Sequence, residues 1–167
     1  MFLRNYSVGD FMSIFGKDEV AMQKFSATLP VPEFDEDNFN RPKSLQFAKV
    51  ALVTTAALYR TGGDGFKLGD SDFHYETFSR VARDLKLGHH SVNFDRGGFA
   101  ADINVVYPID RLEELLEEGV IGDVADNHYS FAGNQPATLS EIRLDSGPSC
   151  AREMVKEDVD IVLLTGT

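Results

Sequence analysis

DVDIVLLTGT, residues 158–167, closes the sequence, and its reading decides the fold. Ile161, Val162, Leu163 and Leu164 are four consecutive large apolar side chains running into a turn that contains Gly166. A short unbroken apolar run of this kind is the pattern of a strand buried on both faces of a parallel sheet. Burying each side chain is worth roughly 1.5–3 kcal/mol, so about 6–12 kcal/mol depends on covering both faces. In open α/β sheets ligands bind outside the carboxyl ends of the strands. Thr165, Gly166 and Thr167 occupy that place and are the first candidates to line a site. Such a strand usually leads into a helix that covers one face. We therefore weigh two expectations: a domain ending on its last strand, or a chain that stops short of the covering helix.

Working back from that strand, a helix is expected over about Pro148–Lys156, packing Ala151, Met154 and Val155. The clearest helical pattern is Ile109–Glu118. Ile109, Leu112, Leu115 and Leu116 share one face, five acids cover the rest, Pro108 fits the first turn and Gly119 ends it. Ile103–Tyr107 reads as a strand closed by Pro108, and His128-Tyr129-Ser130 as residues following a strand end. Residues 74–87 read as a helix with Phe78, Val81, Ala82 and Leu85 on one stripe and Gly88 at its end. Val50–Thr55 is a second buried strand, and the glycine-rich AALYRTGGDGF after it is a loop.

Upstream, residues 7–28 carry an irregular helical pattern, capped by Ser7 and interrupted at Gly16. From Leu29 to Ser44 three prolines and four acids without periodicity read as an extended connector. The expected organisation is an N-terminal helical arm and connector, 1–44, and an α/β domain, 45–167. Its fold class is α/β: a mostly parallel sheet with flanking helices in three layers, incomplete at its C-terminal end. A mixed α+β sheet is the alternative.

Composition narrows the function. A net charge of −11 with 16 scattered basic residues argues against a nucleic-acid partner. No segment approaches the ~20 apolar residues of a membrane span, and no signal-peptide core forms near the N-terminus, so a cytoplasmic location is expected. The single cysteine, Cys150, excludes an internal disulfide framework.

Candidate chemistry is spread along the chain. Asp70, Asp72 and His74 fall within five positions and are candidate metal ligands, although Asp72 also reads as an ordinary cap before a helix. Capping weighs more, and no metal is expected. Asp102 and Asn104 either line a cleft or form a turn, and Asp110 suits the start of a helix. His128 is a second choice for substrate contact. The TGGDG turn, 61–65, could cradle an anion through backbone N–H groups, but it lacks the Lys-Ser/Thr ending of a phosphate loop. Cys150 at a helix start is reactive or, more simply, a packing residue.

Four segments together carry a family resemblance. VALVTTAALY (50–59), GDSDF (69–73), DINVVYPIDRLEELLEEGVIGDVADNHYSFAG (102–133) and VDIVLLTGT (159–167), in that order, resemble the selenoprotein B family. Its members serve glycine, sarcosine, betaine and D-proline reductases of amino-acid (Stickland) fermentation. The resemblance implies selenocysteine directly after Thr167, at the start of the next helix. There the helix N-terminus would favour the selenolate. It implies reductive cleavage of a C–N bond in an amino acid or amine, a thiol/disulfide electron system, and a hetero-oligomer with other reductase subunits, one carrying a pyruvoyl group. It also implies a substrate or acid role for His90 and, since the nucleophile lies beyond these residues, little activity for this chain alone. A non-catalytic α/β module binding a small anion or nucleotide at its glycine turns, and a metal hydrolase built on Asp70, Asp72 and His74, are the competing readings.

Overall fold

The computed structural model describes residues 19–28, 40–67, 72–89, 96–133, 135 and 140–166. The chain divides into two compact units, one containing Glu19–Ser26 and the other made of Pro42–His90 and Phe94–Thr167. In the first, Glu19–Ser26 is a helix, α1, within the stretch expected to be helical. The rest of that stretch and most of the connector lie outside the described residues.

The second unit is built on one sheet. β1 (Lys49–Thr54), β7 (Ile161–Thr165), β5 (Asp123–Val124) and β6 (Asn127–Phe131) run parallel, and β3 (Tyr75–Ser79) joins β6 antiparallel. β7 pairs with one side of β1 over five residue pairs, Val50↔Ile161 to Thr54↔Thr165. The other side of β1 meets β5 at its start and β6 at its end. β2 (Leu58–Arg60) and β4 (Leu85–Leu87) form a separate antiparallel pair.

β1 shows why its run is apolar throughout. Successive side chains point to opposite faces. Val50 and Leu52 enter a core shared with Ile109 and Leu112 of α3 (Ile109–Glu117), whereas Ala51 enters a second core with Cys150 and Met154 of α4 (Gly147–Lys156). Helices thus cover both faces, giving the expected three-layer α/β architecture. α3 and α4 begin within a residue of their expected starts. A π turn, Ile142–Ser146, leads into α4, and Gly147 fits there because a Cβ would lie 2.5 Å from the Ile142 carbonyl oxygen.

Four local expectations are corrected. Residues 74–87 form not a helix but β3 and β4. Phe78 and Ala82 are buried as the stripe required, but Val81 is 76% exposed. Five pairings with β6 override the helical spacing, with the Tyr75 ring 5.4 Å from Phe131 and 5.9 Å from Tyr129. Ile103–Val105 is a 3-10 turn rather than a strand, because the Asp102 carboxylate accepts the Asn104 backbone N–H at 2.9 Å and so closes a turn. A short helix, α2 (Arg96–Ala101), precedes it. His128-Tyr129-Ser130 does not follow a strand: it is the middle of β6. The loop after β1 likewise contains β2.

Candidate functional site

The carboxyl ends of β1, β6 and β7 lie side by side and define the site. Thr55 N–H donates to the Thr165 carbonyl at 3.0 Å, and Thr165 Oγ1 donates to the Val106 carbonyl at 2.8 Å. The last residue of β7 is thereby tied both to β1 and to the turn before α3. Beyond it, a Cβ built on Gly166 would meet nothing within 4 Å among the described residues. Thr167 and His90 lie outside the described residues.

Two hydroxyls at this end accept backbone N–H groups. Thr54 Oγ1 accepts Ala56 N–H at 3.2 Å and Ser130 Oγ accepts Leu58 N–H at 2.7 Å. Ala57 takes a φ of +52° and gives its N–H to the Phe131 carbonyl at 2.9 Å. These bonds turn the chain sharply out of β1 and across the end of β6.

Asp102 and Asn104 act on this end through the turn that carries Val106. Asn104 Nδ2 donates to Asp102 Oδ1 at 2.8 Å and to Asp110 Oδ2 at 2.9 Å, while Asn104 Oδ1 accepts Asp110 N–H at 3.0 Å. The Asn104 N–H groups hold the Asp102 carboxyl below the usual carboxylate range. Arg83 adds a bond to Asp110 Oδ1 at 3.1 Å.

His128 lies in the interior. It is fully buried, and its Nδ1 accepts Leu52 N–H at 3.0 Å. The reason is topological. β1 passes from β5 to β6 between Val50 and Val53, and the imidazole supplies the acceptor for the Leu52 N–H at that break. Burial pushes its pKa down to about 4, so the ring is neutral at neutral pH. It packs edge-on to Tyr107, with ring centroids 5.8 Å apart.

The remaining candidates resolve into local structure. Asp72 caps no helix: its carboxylate accepts Lys67 N–H at 2.7 Å and His74 N–H at 3.4 Å, and pairs with His74 Nδ1. Desolvation works against this carboxylate, but bonds from Lys67 and His74 hold its pKa below the ordinary value. His74 stacks on Phe66 at 4.5 Å and lies 3.5 Å from Glu76. Asp70 is outside the described residues, among which no three ligand-type side chains gather as for a metal ion. Cys150 is buried, and burial with the nearby Glu153 pushes its thiol up to about 12, so it packs rather than reacts. In the TGGDG turn Gly63 N–H already donates to the Arg60 carbonyl at 3.0 Å, and Gly62 and Gly65 take positive φ. That is backbone turn-making of its own.

Two features escape sequence reasoning. Arg80 grips Glu113 of α3 with two bonds, at 2.9 and 2.7 Å, and reaches the Val124 carbonyl at 3.1 Å, fastening helix to sheet. His89 is brought to the carboxyl ends of β1 and β6. A Cβ on Gly133 would lie 2.9 Å from the Thr55 carbonyl oxygen and 3.4 Å from His89 Nε2. The signal was the glycine ending SFAG, meaningful only once its neighbours are known.

A three-layer α/β protein with its polar groups collected where parallel strands end is the class these features define. The glycine/sarcosine/betaine reductase selenoprotein B family matches residues 17–167, and the chain belongs to that family. It is 34% identical over 126 residues to D-proline reductase subunit gamma of Acetoanaerobium sticklandii, covering 74% of this chain and 50% of that protein. It is 29% identical over 150 residues to a glycine reductase complex component B subunit gamma of Symbiobacterium thermophilum. It is 27% identical over 154 residues to a betaine reductase complex component B subunit beta of Peptoclostridium acidaminophilum. Each of these two alignments covers 87% of this chain and 34% of the relative. The chain thus spans between a third and a half of the length of these relatives. No solved structure matches it. Among the described residues no helix is long and apolar enough to cross a membrane.

Proposed function

We propose that this chain forms the sheet-bearing part of a cytoplasmic reductase B subunit that cleaves the C–N bond of a small amino acid. The observation that carries the reading is the pinned end of β7. Thr165 is held from two sides and lies at the carboxyl ends of the parallel strands, where α/β folds bind ligands. A strand end held this firmly suits a reactive residue following Thr167. Placed there, selenocysteine would supply an ionised selenol as nucleophile at neutral pH. The reaction consumes an amino acid and two thiols, and yields a disulfide together with the deaminated acid and the amine, or with a single ring-opened ω-amino acid where the nitrogen lies in a ring. In it the chain's own residues fix the strand ends: Thr165 through Val106, and the Val106 turn through Asp102, Asn104 and Asp110. A partner subunit bearing a pyruvoyl group activates the amine in this reading, and the chain alone releases none.

Binding of an anion at the TGGDG turn has no specific observation in its favour, since Gly63 N–H is already engaged. The test is to produce the full reading frame with its partner subunits in a selenium-inserting host. Amine release from glycine, sarcosine and betaine, and ring opening of D-proline to a single ω-amino acid, are then followed with a dithiol as reductant. Turnover of one of the four is expected. If selenium is verified in the protein and none of the four is converted, the reading is wrong.

A further inference from the structure

We propose that the cavity between α4 and the β3–β6 pair binds a small ammonium ion, Glu153 supplying the counter-charge and the Tyr129 hydroxyl the innermost contact. The proposal goes beyond the reductase reading and does not rest on it.

The cavity, about 330 Å³, is lined by Thr77 of β3, Asn127 and Tyr129 of β6, Glu153 and Lys156 of α4, and Glu157 just after α4. Strand alternation builds it. Thr77 and Tyr129 are paired across the two strands. Tyr129 packs with Cys150 and Met154 of α4, and Tyr75, two residues before Thr77 and so on the same face, donates its hydroxyl to Glu153 Oε1 at 2.8 Å.

Tyr129 forms the floor. It is 1% exposed, and the little of it that is open lines the cavity. Among the described residues its hydroxyl has no hydrogen-bond partner. Burial first, and then Glu153, pushes its pKa up, so the phenol stays protonated at neutral pH. A buried phenol ordinarily has a partner, and this one borders the cavity.

The remaining groups select the ligand. Glu157 is engaged with the chain: its carboxylate accepts Asn127 N–H at 3.1 Å and Asn127 Nδ2 at 3.3 Å. Glu153 keeps Oε2 uncommitted, since Tyr75 takes Oε1. Asn127 Oδ1 and the Thr77 hydroxyl make no hydrogen bond among the described residues. Acceptor oxygens therefore predominate. An anion would meet two carboxylates, and an apolar molecule would strip water from every one of these groups. A metal ion lacks ligands, because among the described residues no three ligand-type side chains gather. A compact cation bearing several N–H groups matches the cavity. Lys156, exposed at the rim, would pair with the carboxylate of an amino acid whose ammonium sits inside.

The test is a magnetic-resonance titration of this chain with methylammonium chloride, followed at the Tyr129 ring and the Asn127 side-chain amide. Saturable movement with a millimolar Kd is expected, since so few atoms bind no more tightly. Potassium and tetramethylammonium, which have no N–H to donate, should leave both signals in place. Equal movement with either of them overturns the proposal.

Glycine, titrated separately, distinguishes the two sources of an ammonium group. Movement with methylammonium assigns the site to a free amine. Movement with glycine alone, lost in Lys156→Met, assigns it to an amino acid. Movement with neither overturns the proposal. Tyr129→Phe, which keeps the ring, and Glu153→Gln, which can still accept from Tyr75, should each weaken binding on the order of 10-fold or more. A Kd unchanged in either variant overturns the assignment. None of these measurements involves turnover, so their failure leaves the reductase reading standing, and the reverse also holds.

Discussion

β1 and β7 are neighbouring parallel strands with nearly the same text, VALVT and IVLLT, yet they live in different surroundings. In β1 Leu52 is fully buried, with a strand on each side and helices over both faces; in β7 Leu164 is 73% exposed. Among the described residues β7 has a strand on one side only. An apolar run therefore specifies a strand, but what buries it is supplied from elsewhere in the sequence. For β1 those suppliers are named residues: Ile109 and Leu112 on one face, Cys150 and Met154 on the other, and His128 at the break between β5 and β6.

Replacing His128 should break the β1 side hardest. His128→Ala leaves the Leu52 N–H without its acceptor and opens a cavity beside Tyr107. An unsatisfied buried donor and a large-to-small core change together predict a loss of about 3–5 kcal/mol, read by urea unfolding. His128→Leu fills the volume and keeps only the donor penalty, about 1–3 kcal/mol. Equal losses for the two variants would mean that the cavity costs nothing, and no loss in His128→Leu would mean that the Leu52 bond contributes nothing.

The same residue sets a pH dependence. Its folded pKa, about 4, lies below the ordinary value of 6.5, so the unfolded chain binds the proton more readily. Its contribution is present above pH 6.5 and is lost as pH falls from there through the folded value. The expected loss is on the order of 3 kcal/mol between those limits. Carboxylates such as Asp160, held below their usual range by Lys43 and the Lys49 N–H, add their own loss at the acid end of that window. Unfolding measured from pH 7 to pH 4 on the wild type and on His128→Gln isolates the imidazole: the variant should show the flatter profile.

This comparison also marks what could be read without the structure. α3 was legible because its pattern is local: four apolar positions on one face and a glycine behind them. β1 and β7 were legible as apolar runs, and with them the strand ends carrying Thr165 and Gly166. β3 was not, because Phe78, Val81, Ala82 and Leu85 fit a helical stripe while the pairing that makes β3 a strand comes from β6, about 50 residues away. The acceptor role of His128 was hidden for a similar reason, since it exists only where β1 passes from one partner strand to the next. His89 depends on the space left by Gly133, which no spacing rule encodes.

A smaller effect is expected where β1 begins. A Cβ on Gly122 would come within 2.6 Å of the Phe47 carbonyl carbon and 2.9 Å of Ala48 N, against backbone that cannot turn aside. Gly122 N–H also donates to the Leu45 and Ala48 carbonyls, each at 3.0 Å. Gly122→Ala should therefore cost about 1–3 kcal/mol through displaced backbone, measured by thermal unfolding. A neutral result would mean that the entry to β1 yields more easily than its hydrogen bonds imply.

The smallest effect belongs to β7. Leu164→Ser alters a residue that is mostly exposed, so in this chain its stability should change by no more than about 0.5 kcal/mol. The same change at Leu52, in the neighbouring strand, should be many times worse, because it buries an unmatched hydroxyl and leaves a cavity. The pair tests whether burial or strand identity governs the cost, since both residues occupy parallel strands paired in register. The longer relatives provide a sharper version. If Leu164→Ser is silent in this chain but costs about 2 kcal/mol or more in the full-length B subunit, then the exposed face of β7 is covered by the remainder of that protein. If it is silent in both, β7 is a true edge strand and its apolar text answers to something other than burial.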